Sequence, residues 1–161
     1  MKKLKIYLDT SVISHLLHDD TPVRQADTIK LWERIKNGNY DVYTSTVTFY
    51  EIDECAEELR VKLRQFIDEI DVTIINLADI ELELAEKIIE VGILTRKSID
   101  DCYHIACAIV SECDIIVSWN IKHLVNIRTI NGVRGISQLE GYKPIDIYTP
   151  QILLGVDFDD P

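Results

Sequence analysis

With 161 residues the chain has the bulk of about one domain, and its 47% hydrophobic content is enough for a full core. A formal net charge of −11 and a pI near 4.7 speak against a broad basic surface for nucleic acid, and no apolar run approaches the roughly 18 residues of a membrane span. Lys2, Lys3 and Lys5 open the chain with no long apolar stretch behind them, so the start reads as a strand and not a secretory leader.

Strand and helix patterns then alternate. Residues 5–8 form the first strand candidate. Residues 23–36 carry Ile29, Leu31, Trp32 and Ile35 at helical spacing and stop at Asn37-Gly38. A second strand over 41–44 precedes helices over 47–56 and 59–70, the latter with Leu59, Leu63, Phe66, Ile67 and Ile70 on one face. A third strand over 72–76 leads to helices over 78–91 and 99–111, then a fourth strand over 114–118. Residues 126–139 are ambiguous, helical in pattern but weakened by Gly132 and Gly135. A fifth strand over 145–148 completes one domain over 1–154, and an acidic tail over 155–161 is expected to fray. Ile74-Ile75 and Ile115-Ile116-Val117 are continuously apolar, as strands covered on both faces are. The alternation implies an α/β fold, a parallel sheet with helices on both faces.

In such a sheet the functional crevice lies beyond the carboxyl ends of the strands. Asp9 ends the first strand, Glu51 follows the second within one helical turn of Thr46-Val47, Asp101 begins the helix before the fourth, and Asn120 ends the fourth. Each acid also has a structural reading. Thr48 to Glu51 and Ser98 to Asp101 fit capping boxes, and Asp9 fits an N-cap for a helix beginning near Ser11. Gathered on one edge, the carboxylates would repel unless a hard divalent cation sat among them.

Weaker candidates surround these acids. Thr10 and Ser11 can donate hydroxyls to Asp9 or to substrate, or simply cap. His123 follows Asn120 by three and, with Lys122, can meet a phosphate. His104 reads as a packed or hydrogen-bonded histidine. Trp119 reads as core or as a base-stacking surface. Between Asp114 and Glu140 there is no acid, so Lys122, Arg128 and Arg134, with Arg96 and Lys97, form either a local basic rim or ordinary surface charge. The run Asp53, Glu54, Glu57, Glu58 reads as a solvated face. Cys55, Cys102, Cys107 and Cys113 make no C-x-x-C pair. The last three fall to one helix at scattered spacings, as free thiols in a reducing cytosol do.

Leu8-Asp9-Thr10-Ser11-Val12-Ile13, Glu51 after the second strand, the D-x-x-H-x-A run from Asp101 to Ala106, the strand from Asp114 to Asn120, and the closing Ile147 to Leu153 with its Thr-Pro turn together resemble the PIN domain family. The resemblance spans nearly the whole chain. It implies a three-layer α/β sandwich with a central, mainly parallel sheet of four to five strands. It also implies a metal-dependent ribonuclease, leaving a 5′-phosphate and a 3′-hydroxyl, with Asp9, Glu51 and Asp101 as ligands to Mg²⁺ or Mn²⁺. Small stand-alone members are often toxins of toxin–antitoxin pairs and often dimerise. RNA as substrate, an antitoxin partner, a homodimer and a cytoplasmic location are therefore expected. Asn120 stands where a fourth aspartate is usual; it offers a carbonyl oxygen but no charge, which should weaken cation binding and disfavour a second metal.

Two rival readings remain. A phosphatase with Asp-x-Asp after the first strand is disfavoured by Ser11, and a phospho-accepting receiver domain lacks an aspartate at the end of the third strand, where Asn76 follows; Lys143-Pro144 resembles its lysine, though a turn is the plainer reading. The other alternative is a binding module with a weakened site, acting through RNA or protein contacts, its negative charge meeting a basic partner.

Overall fold

In the computed structural model, which describes residues 2–156, five strands form one sheet. They are β1 (Leu4–Leu8), β2 (Tyr40–Ser45), β3 (Val72–Ile75), β4 (Ile115–Val117) and β5 (Asp146–Tyr148), in the order β3-β2-β1-β4-β5. Every pairing is parallel. The chain winds outward from β1 to β3, then returns to β4 on the other side of β1. That reversal opens a crevice between the carboxyl ends of β1 and β4, the default ligand position in an open α/β sheet.

The period-two alternation of β1 divides the core. Ile6 and Leu8 face one cluster with Val42, Ile115 and Val117, covered by α1 (Thr10–His15), α2 (Pro22–Lys36), α3 (Thr46–Asp53), α4 (Glu57–Asp68) and α8 (Pro150–Val156) through Ile13, Leu31, Trp32, Ile52, Leu63, Ile67 and Leu153. Tyr7 faces the opposite cluster with Ile116 and Ile147, covered by α5 (Asp79–Glu90), α6 (Ile99–Val110) and α7 (Ile127–Leu139) through Leu84, Ile88, Ile105, Ile109, Val133 and Ile136. The result is the three-layer α/β sandwich, its five strands all parallel.

Several local expectations change. β3 is an edge strand, so Ile74 is 36% exposed and not covered on both faces. The segment with Gly132 and Gly135 is one continuous helix, α7, capped by Asn126, whose Oδ1 accepts Thr129 N–H at 2.9 Å. Gly38, at φ +79°, takes the left-handed turn that ends α2. Cys113 lies beyond the end of α6, while Cys102 and Cys107 are buried within it; burial pushes all three thiols up to about 12. Gly155 and Val156 belong to α8, and residues 157–161 of the acidic tail lie outside the described residues. No helix among the described residues is long and apolar enough to cross a membrane.

Candidate active site

β1 ends at Leu8, and the next residue, Asp9, hangs its carboxylate over the carboxyl edge of the sheet. It occupies the N-cap position of α1 with extended backbone, yet its side chain does not cap that helix. Its oxygens instead accept from Ser11 Oγ at 2.5 Å and Ser118 Oγ at 2.6 Å. Ser11 Oγ in turn accepts Trp119 N–H at 2.9 Å, and Ser118 Oγ accepts Asn120 N–H at 2.9 Å, so the turn after β4 is tied to the turn after β1 through Asp9. Asp9 is only 4% exposed. Burial pushes its carboxyl above the ordinary range; His104 and the two serine hydroxyls pull the other way, and Glu51 adds to the rise.

Glu51 comes from α3, which starts directly at the end of β2. The helix is capped by Ser45, whose Oγ accepts Val47 N–H at 3.3 Å. Thr48 therefore lies inside the helix, and the Thr48–Glu51 capping box does not form. Glu51 Oε1 receives His104 Nε2 at 2.5 Å and Thr10 Oγ1 at 3.0 Å. His104 is 2% exposed, and behind it Tyr7 Oη lies 2.6 Å from Nδ1 and 2.7 Å from Ser45 Oγ. With Val47 N–H donating to Ser45, the neutral imidazole has one consistent direction of donation. Ser45 donates to Tyr7, Tyr7 to His104 Nδ1, and His104 Nε2–H to Glu51. Burial disfavours charge on both ends of the last link. The bond between them outweighs it, holding Glu51 below and His104 above their ordinary values.

Asp101 lies in the first turn of α6, and Ser98, at the N-cap, makes no side-chain cap bond. α6 ends just before β4 begins, where Lys5 N–H donates to Asp114 at 2.8 Å on the amino edge, so its start lies on the carboxyl edge. Asp101 faces Asn120 Nδ2 at 3.4 and 3.5 Å and His123 Nδ1 at 3.2 Å. Burial raises its carboxyl above the ordinary range, His104 and His123 lower it, and Asp9 and Glu51 raise it further. The three acids thus feel one another across the crevice. Asp100, one residue earlier, is exposed.

Asn120 is oriented by the backbone. Its Oδ1 accepts His123 N–H at 3.1 Å, which leaves Nδ2 toward Asp101. The carbonyl oxygen is spoken for by a main-chain donor, so this residue steadies Asp101 as a neutral donor. Lys122 is exposed on the loop after β4, and His123 is half-buried between Asp101 and that loop.

The rest of the expected surroundings sort out by edge. Arg134 pairs with Asp146 at the start of β5 and Lys143 with Asp114, both on the amino edge, so Lys143 cannot serve a receiver-type site at Asp9. Arg96 pairs with Glu86. Pairing thus takes Arg96 and Arg134 out of the basic rim, leaving Lys97, Lys122 and Arg128. Trp119 is core: it is 6% exposed and its indole donates to Thr28 Oγ1 at 2.8 Å. Asp53, Glu54, Glu57 and Glu58 are exposed, as a solvated face requires. Ser118, Tyr7 and Ser45 were not legible as site residues. Their roles depend on partners 109, 97 and 38 positions away in the chain.

Among the described residues no group of three or more His, Cys, Asp or Glu side chains stands close enough to cage an ion as they are turned. Each acid is turned to its own donors: Asp9 to two serines, Glu51 to His104 and Thr10, Asp101 to Asn120 and His123. The donor set nevertheless fits a hard divalent cation, since it offers carboxylate oxygens from three elements whose mutual repulsion a cation relieves.

The family model of the PIN domain matches residues 6–122, a span that includes Asp9, Glu51, Asp101 and Asn120, and the chain belongs to the PIN domain family. Among solved structures, a chain of VapBC2 from Rickettsia felis, crystallised bound to a DNA fragment from its promoter, superposes with a TM-score of 0.57 at 13% identity, over 91% of this chain and 98% of that one. No curated protein matches the sequence.

Proposed function

We propose that this PIN-domain protein is a metal-dependent endoribonuclease that hydrolyses RNA phosphodiester bonds, and that it is the toxin component of a toxin–antitoxin pair. The observation that carries the chemistry is the meeting of Asp9, Glu51 and Asp101 on one sheet edge, each acid already furnished with its own donor. Asp9, Glu51 and Asp101 would hold Mg²⁺ or Mn²⁺, and Asn120 would keep Asp101 in place. Bound there, the ion supplies a lowered pKa to attacking water and neutralises charge on the phosphoryl oxygens. Ser11 and Ser118 hold both oxygens of Asp9, and Thr10 and His104 hold one oxygen of Glu51, so the acids would turn from these donors toward the ion on binding it. Lys122 and His123, with Thr10 and Ser11, meet the substrate strand.

The likeness to VapBC2 supports an antitoxin protein as partner; a homodimer and a cytoplasmic location complete this reading. The test is cleavage of single-stranded RNA by the purified chain with Mg²⁺ or Mn²⁺. Loss of cleavage in Asp9→Asn and Asp101→Asn, with circular dichroism unchanged, supports the nuclease. RNA binding without cleavage over a broad metal screen supports instead a catalytically weakened binding module, a reading favoured by the neutral amide of Asn120 toward Asp101.

A further inference from the structure

A cavity of about 270 Å³ lies beside Asp101, between the loop after α5, the 3₁₀ turn over Arg96–Ser98 and the start of α7. In a chain with 28 acidic residues, none of those among the described residues lines it. Two cations do. Lys122 forms no ion pair among the described residues, and exposed Arg128 makes one hydrogen bond among them, Nη2 to the carbonyl of Gly92 at 3.0 Å. The His123 ring is a shared wall: it lines the cavity and lies 3.2 Å from Asp101. Ile93 and Leu94 supply a half-buried apolar surface. Thr95 and Ser98 contribute hydroxyls with no partner among the described residues, whereas both ends of the Asn126 amide are used within the fold.

We propose that this cavity seats one unstacked nucleotide of single-stranded RNA next to the bond being cut, with its phosphate between Lys122 and Arg128, its base against Ile93 and Leu94, and the base edge met by Thr95 and Ser98. The inference rests on the nuclease reading, which supplies the scissile bond at Asp101. The volume lies at the small end of ligand pockets, near 300 Å³, and suits one nucleotide, not a duplex. An unstacked nucleotide offers what these walls complement: an anion, an apolar face and a polar edge.

The test is fluorescence anisotropy of a labelled single-stranded RNA oligonucleotide with the full chain in EDTA, in parallel with cleavage kinetics in Mn²⁺. Lys122→Glu and Arg128→Glu are each expected to weaken binding about ten-fold and to raise KM, and Lys122→Ala to make the salt dependence of log K shallower by about 0.7. Lys62→Glu on α4 should leave both unchanged. Ser98→Ala should alter base preference. Lys122 is exposed and unpaired, so its variants keep the fold even if Arg128→Glu does not. Cleavage with wild-type KM and binding in Lys122→Glu overturns the subsite while the nuclease stands. Cation-dependent RNA binding without cleavage keeps the subsite and removes the nuclease. RNA that is neither bound nor cut removes both, and cation-dependent capture of an acidic peptide in place of RNA assigns the cavity to a protein partner and overturns the proposal.

Discussion

His104 Nε2 lies 2.5 Å from Glu51 Oε1, joining a fully buried imidazole on α6 to a carboxylate on α3 at the rim of the crevice. The two residues are 53 positions apart. Behind them, Tyr7 and Ser45 extend the chain of donors into the sheet, so the rotamer of Glu51 is set from the core outward.

Tyr7→Phe removes the middle of that relay. It leaves His104 Nδ1 and Ser45 Oγ without their buried partner, which should cost about 1–3 kcal/mol in urea denaturation. Cleavage should fall while RNA binding holds, because Glu51 loses its fixed orientation and the cations beside the cavity are untouched.

The His104–Glu51 link also has a pH signature. Glu51 is held below its ordinary 4.5, so its contribution is present above that value and lost as pH falls through the folded value. His104 is held above its ordinary 6.5, so its contribution is present below that value and lost as pH rises through the folded value. The pair therefore stabilises most between 4.5 and 6.5 and less on either side. The difference in stability between wild type and Glu51→Gln in chelator, plotted against pH, should peak in that window, and the His104 resonance should titrate lower in Glu51→Gln.

Asp101 is held above its ordinary 3.8, first by burial and then by Asp9 and Glu51. Here the sign reverses: the metal-free fold loses stability as pH rises through that carboxyl. Asp101→Asn should melt at a higher temperature than wild type in chelator at neutral pH, yet lose activity by about 10²-fold or more. Lower melting together with lost activity would mean that the mutation acts through the fold.

Divalent metal should reverse that repulsion. Mn²⁺ or Mg²⁺ at a hundred times Kd should stabilise the wild type by about 2.7 kcal/mol, and Asp9→Asn should largely abolish the gain. Differential scanning fluorimetry with and without chelator measures it.

The two glycines of α7 should respond oppositely to alanine. A Cβ at Gly132 would stand 2.7 Å from Ile93 Cγ1 and 3.1 Å from Cδ1, so Gly132→Ala overpacks the contact that shapes the cavity wall and should cost about 1–3 kcal/mol. Gly135 has nothing within 4 Å of that position, and Gly135→Ala should gain about 0.8 kcal/mol from helix propensity. Chemical denaturation of the two variants gives the comparison.

The alternation of strand and helix patterns places Asp9 and Asn120 after strand ends, Asp101 at a helix start and Glu51 in the helix that follows the second strand. It does so because apolar periodicity and turn residues are local signals, readable within a dozen positions. The caps depend on where tertiary contacts start each helix. The end of β2 set the start of α3 at Thr46, which moved Thr48 inside the helix and left the cap to Ser45. Gly132 and Gly135 weaken the pattern of α7, yet the helix is continuous; at Gly132 the close approach of Ile93 leaves no room for a Cβ.

What the sequence by itself determined was the order of elements, the parallel α/β class and the chemical type of each residue at the crevice. What only the tertiary structure decided was partnership. Ser118 and Ser11 on Asp9, the Ser45–Tyr7–His104 relay on Glu51, the turning of Asn120's amide toward Asp101, and the separation of Arg134 from Lys122 all join or divide residues distant in the chain. Such contacts depend on strand order, which no local pattern encodes, and buried polar groups take whichever donor that order brings within reach.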